Sequence, residues 1–188
     1  MGAPWPHSLD SIGPQPYPRI SQPSSMCVTS GSVRLMDKRI VGWLLVVMQV
    51  AVFVVLALLP WRLPSALSIV LAIPFVVVGG WMGLAAFGAL GGALTPTPVP
   101  IAGAGLRTNG PYSWVRHPIY TAVLSLTLAA LILAGTWWSW AWGAVILAFF
   151  WVKSRWEDRL LAEEYGEQWR AWARTTGALI PRRRRSAP

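Results

Sequence analysis

Cysteine, histidine and acidic residues are all scarce in this chain. It holds one Cys (Cys27), two His (His7 and His117) and seven Asp or Glu in 188 residues. A disulfide framework needs paired cysteines, and a metal site needs several convergent His, Cys or carboxylate ligands, so both are excluded. No nucleophile elbow accompanies Ser113 or Ser125 near His117, which removes the usual serine-hydrolase arrangement. No phosphate-binding glycine loop follows a strand, and GWMGLAAFG reads as helix-packing glycine. Charge itself is thin at 12% of residues, against roughly a quarter in a soluble domain. None falls in 63–106 or in 118–152. A core set by water is thereby ruled out, and these stretches belong in hydrocarbon.

What is present is apolar and helical in pattern, so the fold class expected is an all-α, polytopic membrane protein of about four transmembrane helices. The first span covers about 40–59 and is ended by Pro60, with Gln49 its one polar residue. The second covers about 65–90 and carries Pro74 and the pair Gly79-Gly80, which predict a bend. The uncharged stretch 118–152 is too long for one crossing and divides into two short spans of roughly 17 residues each, folded as a C-terminal hairpin near Gly135. After it, Trp156, Leu160, Tyr165, Trp169 and Trp172 recur at three- to five-residue steps within the charged segment 153–181. That spacing predicts an amphipathic helix lying at the membrane surface.

With four spans, fifteen of the sixteen Lys and Arg residues share one side and Arg62 alone faces the other. The positive-inside rule makes the first side cytoplasmic, places both termini there, and puts the chain in the inner or plasma membrane as a multi-pass protein. The net charge of +9 is then explained by topology and by anionic lipid headgroups meeting the run Arg182–Arg185, with no need for nucleic acid. Residues 1–35 differ in composition, being rich in Pro and Ser, and are expected to be a disordered tail ahead of a membrane domain over 36–188. Met36, followed by Asp37-Lys38-Arg39 and then at once by the first span, reads as the true start.

Two segments face the same interface: LRTNGPYSWVRHPIY at 106–120 and the charged helix that begins KSRWEDRLLAEEYGEQWRAW at 153. Arg and His just before a span also serve as ordinary membrane anchors. Glu157 and Asp158 are adjacent and about 100° apart on a helix, so one of them is expected to face a site and the other to pair with Arg at solvent.

The pairing of GPYSWVRHPIY with WEDRLLAEEYGEQWRAW and a closing LIP resembles the isoprenylcysteine carboxyl methyltransferase family, one of the integral-membrane methyltransferases related to the phospholipid methyltransferases. The resemblance covers roughly 80–181. Arg116, His117, Pro118 and Tyr120 match the family's Arg-His-Pro-x-Tyr-x-Gly, and Glu157-Asp158 stands at its paired-acid position. Ala122 replaces the motif Gly, and Asp158 the second Glu. The resemblance implies S-adenosylmethionine as cofactor, bound by Tyr112, Arg116, His117, Pro118, Tyr120, Glu157 and Asp158. The acids would take its ammonium or ribose hydroxyls, Arg116 and His117 its carboxylate, and the tyrosines its adenosyl group. Positioning by Arg116, His117 and Glu157 would replace acid–base catalysis, because methyl transfer needs alignment and dryness above all. The partner implied is a lipophilic small molecule or lipidated acceptor, most like a prenylcysteine-type carboxylate. Two rivals are an NADPH-dependent sterol-type reductase, whose sequences carry a similar Arg-x-x-His-Pro-x-Tyr look, and a small non-enzymatic scaffold.

Overall fold

The computed structural model describes residues 25–91 and 105–182, with side chains from Asp37 onward. The chain divides into two units, Met1–Met36 and Asp37–Pro188. Four α-helices follow in order, α1 (Ser25–Leu58), α2 (Ala66–Leu90), α3 (Pro118–Ala134) and α4 (Trp137–Thr175), with a 3-10 turn over Gly110–Ser113 ahead of α3. No strand occurs among the described residues, so the all-α expectation holds there.

Helix α1 starts earlier than the sequence suggested. Residues 25–35, read as part of a disordered tail, are helical, because the last proline before the span is Pro23 and nothing after it breaks the ladder. The rest of that tail, 1–24, lies outside the described residues, as do the loop 92–104 and the arginines from 183 on.

Asp37–Leu58 of α1 and the whole of α2 are long and apolar enough to cross a membrane, whereas α3 is a shorter apolar helix of 17 residues. Their packing is that of helices in lipid, where close approach of small residues replaces the hydrophobic drive. Helix α2 turns Ala72, Gly79, Met82, Gly83 and Ala86 inward, while Leu84 is 76% exposed and Val77 61%. The contact with α3 is tight enough that a Cβ on Gly79 would sit 2.8 Å from Leu126 Cγ and 3.0 Å from the Ala122 carbonyl oxygen. Ala122 itself is buried here, its methyl opposite Gly83. The methyl that departs from the family motif is therefore absorbed by α2 and does not intrude on the site.

The hairpin turn falls at Gly135, whose φ of 62° suits glycine and closes α3 through its N–H to the Leu131 carbonyl at 3.1 Å. Thr136 then caps α4, accepting from the Ser139 N–H. The core joins α1 to this hairpin through Val52, Leu56, Leu131, Ile146 and Phe150, and the Trp142 indole donates to the Val52 carbonyl at 2.8 Å.

The fourth apolar stretch and the charged segment after it are not divided at residue 152. Helix α4 runs unbroken from the apolar stretch at Trp137 into the charged one as far as Gly166, since nothing in FFWVKSRWEDRLL breaks a helix. The break comes later, at Gly166, which adopts φ 52° and ψ −123° and redirects the final turns. The helix also ends at Thr175, short of 181. Residues 176–182 follow as bends and irregular chain, and Val115 and Gly177 form a parallel bridge.

Candidate functional site

Pro118 fixes the site's first half. It occupies the first position of α3, where its missing N–H is no loss, and it is fully buried. Arg116 and His117 are thus held in the non-helical turn of chain just before the helix. Their N–H groups donate to the Gly177 and Ala178 carbonyls at 2.8 and 3.1 Å, and the Thr121 hydroxyl donates to the Leu179 carbonyl at 2.8 Å. The returning tail is stitched to the motif by backbone.

Asp158 accepts a bidentate pair from Arg116, from Nε at 3.2 Å and Nη2 at 2.8 Å. Arg116 Nη1 also donates to the carbonyls of Thr176 and Ala173, and its guanidinium lies 5.6 Å from the Trp169 ring. Arg116 thus commits four of its five N–H donors inside the protein, as is suited to a planar guanidinium. The Trp172 indole donates to the Tyr112 carbonyl at 3.2 Å, bringing the buried Tyr112 under the same lid of residues.

His117 lies between both acids. Its Nε2 is 3.0 Å from Asp158 Oδ1 and its Nδ1 is 3.5 Å from Glu157 Oε2. The two acids were expected to diverge, only one facing the site; instead the two ring nitrogens, on opposite edges of the imidazole, span their angular separation. Glu157 also accepts from the Tyr120 hydroxyl at 2.6 Å, and the Tyr120 ring stacks on the imidazole at 5.3 Å between centroids. All the residues singled out by sequence (Tyr112, Arg116, His117, Pro118, Tyr120, Glu157, Asp158) meet in one place. Sequence reasoning missed Lys153, Trp169 and the 176–179 return as neighbours, because Trp169 read only as part of an apolar face and backbone carbonyls leave no mark on a sequence.

Since carboxylates only accept hydrogen bonds, an imidazole facing two of them carries a proton on each nitrogen. Burial alone would lower the His117 pKa; Glu157 and Asp158 outweigh it and push it up to about 9. For Asp158, burial acts upward, but the hydrogen bonds from His117 and Arg116 prevail and hold it below the usual carboxylate range. Burial, and then the Glu157 charge, raise the Tyr112 phenol above its ordinary value. The stability that His117 lends is complete below its ordinary value of 6.5 and is lost as pH rises through about 9. That from Asp158 is present above 3.8 and is lost as pH falls below it. Thermal midpoints in detergent are expected to fall steadily as pH rises from about 6.5 to about 9 and to level off above that, and His117→Gln should remove this decline. A wild-type midpoint that stays level to pH 10 would contradict the imidazolium.

Among the described residues no group of His, Cys, Asp and Glu is arranged to hold a metal ion. An apolar groove of about 600 Å³ runs along α4 past Ala144, Leu147, Ala148 and Trp151 to Ala178, Leu179 and Ile180. Its last wall is the segment stitched to Arg116, His117 and Thr121, so groove and polar cluster share one strip of chain.

No curated protein matches this chain. A family model described as phospholipid methyltransferase matches residues 67–168, a span that takes in α2, the whole Arg116–Tyr120 motif and the paired acids.

Proposed function

Because the chain belongs to the phospholipid methyltransferase family, and is therefore a membrane protein of a methyltransferase family, we propose that it transfers a methyl group from S-adenosylmethionine to a lipophilic acceptor at the cytoplasmic membrane surface. The observation that carries this reading is Glu157. Tyr120 and His117 both engage its Oε2, leaving Oε1 without a protein partner among the described residues. Glu157 is also the less buried of the two acids, its side chain 23% exposed against 8% for Asp158.

The donor set fits the cofactor. Glu157 can accept from its ammonium or ribose hydroxyls, Tyr112 offers an aromatic face, and the buried Trp169 Nε1, without a partner among the described residues, can donate to an acceptor atom. When bound, S-adenosylmethionine supplies an electrophilic methyl on sulfonium. Arg116 and Asp158, engaged with each other, hold the returning tail in place and exclude water, which suits a displacement that needs alignment.

The acceptor favoured is a carboxylate of prenylcysteine type. The imidazole has both nitrogens committed to acids and is no general base, so an acceptor already ionised at neutral pH fits the site better than one that must first lose a proton. The groove supports a hydrocarbon tail approaching from the bilayer, its seven lining residues all apolar. In this reading α3 and the apolar half of α4 complete four spans, with both termini cytoplasmic.

The family match weighs against the reductase and scaffold readings. A titration of the detergent-solubilised protein with S-adenosylhomocysteine and with NADPH separates them. Saturable binding of the first and not the second is expected, and the reverse outcome would replace methyl transfer by hydride chemistry.

A further inference from the structure

Lys153 is buried at 3% exposure inside the bundle. It is the first charged residue after the uncharged stretch 118–152. Every ion pair among the described residues is made by another cation, and no carboxylate lies within ion-pair distance of its ammonium. Its one hydrogen-bond partner among the described residues is Gln49 Oε1, the single polar side chain of the 40–59 run of α1. The ammonium lies 5.2 Å from the Tyr120 ring centroid and 5.9 Å from those of Phe149 and Phe150.

A lone buried ammonium costs several kcal/mol of desolvation. Three aromatic faces and a charge-assisted hydrogen bond offset part of that, yet an apolar chain of the same length would fill this space with no such cost. What the amine supplies is direction. It bears on the ring of Tyr120, whose opposite role is to donate to Glu157 Oε2, and it stands four residues before Glu157 on the same face of α4.

We propose that Lys153 is a positioning residue for Glu157: pinned by Gln49 and set against the Tyr120 ring, its ammonium fixes the phenol that orients the Glu157 carboxylate, which makes α1 a structural part of the site. This rests on the reading of Glu157 as a cofactor ligand. Around Glu157 the other charged or titratable groups are His117 and Tyr120 in contact, and Asp158, Arg116 and Tyr112 beyond them. Lys153 alone reaches in from the α1 side.

A double-mutant cycle tests it on the full chain in detergent. Lys153→Met keeps the volume and removes the charge. It is expected to weaken S-adenosylhomocysteine binding about tenfold when Glu157 is intact and less than about twofold in the Glu157→Gln background, since coupled residues are non-additive. Gln49→Leu should reproduce part of the loss. The same cycle read as thermal midpoints without ligand must also be non-additive. Equal losses in both backgrounds, or additive midpoints, mean that Lys153 only fills space and overturn the proposal. If Glu157→Gln binds S-adenosylhomocysteine as wild type does, the cofactor-site reading fails instead, and the midpoint cycle still decides the role of Lys153.

Discussion

Asp158→Ala is expected to destabilise the protein by about 3 to 5 kcal/mol, the usual cost of removing one partner from a buried ion pair. Among the described residues the carboxylate is the sole acid in contact with Arg116 and one of two facing His117, and it is 6% exposed. Without it, two buried cationic groups remain with a single acid nearby. The damage should be local first. Arg116 holds the Ala173 and Thr176 carbonyls, so the chain beyond Gly166 loses its anchor while the α2–α3 contact, which uses Ala122 and Gly79, is untouched. Asp158→Glu keeps the charge, restores the family's residue and should cost far less. The measurements are thermal midpoints and tryptic cleavage at Arg174, which should accelerate in the alanine variant. An alanine variant as stable and as protease-resistant as wild type would mean that Arg116 finds equal partners elsewhere and that Asp158 is no clamp.

How much of this was legible in the sequence differs from part to part. The apolar runs and the Gly135 turn are set by composition and by one residue's freedom at positive φ, both local, and the structure places the α3–α4 turn where they indicate. The convergence of 116–120 with 157–158 was readable because two short motifs carry chemistry at fixed spacing. Continuity of α4 through residue 152 was not. Change of solvent, from hydrocarbon to interface, marks a sequence boundary without breaking a helix. The joint use of both acids was missed for a related reason: helix geometry sets them about 100° apart, but the width of the imidazole between them is a tertiary fact. Lys153 escaped notice because a Lys at the end of an apolar run ordinarily reaches for the surface, and only the position of Gln49 on α1 turns it inward.

Glu157→Gln carries the functional prediction. The amide keeps the shape and still accepts from the Tyr120 hydroxyl, so the fold should survive, and only the charge facing His117 and the cofactor is lost. S-adenosylhomocysteine affinity is expected to fall about ten- to a hundredfold, or about 1.5 to 3 kcal/mol, the scale of a hydrogen bond to a charged group. Tyr120→Phe should act in the same direction but more weakly, since it removes one donor that orients the carboxylate. Glu163→Gln is the control. That acid is exposed and paired with Lys38 at 2.7 Å on the outer side of α4, so its loss should alter stability by less than about 1 kcal/mol and leave affinity unchanged. Calorimetric isotherms for the three variants decide between a cofactor ligand and an interface anchor. Should Glu157→Gln bind as tightly as wild type while folding normally, the Arg116–Tyr120 motif and its acids would be a clasp for the returning tail and nothing more, because every other acid near the motif is already committed within the protein.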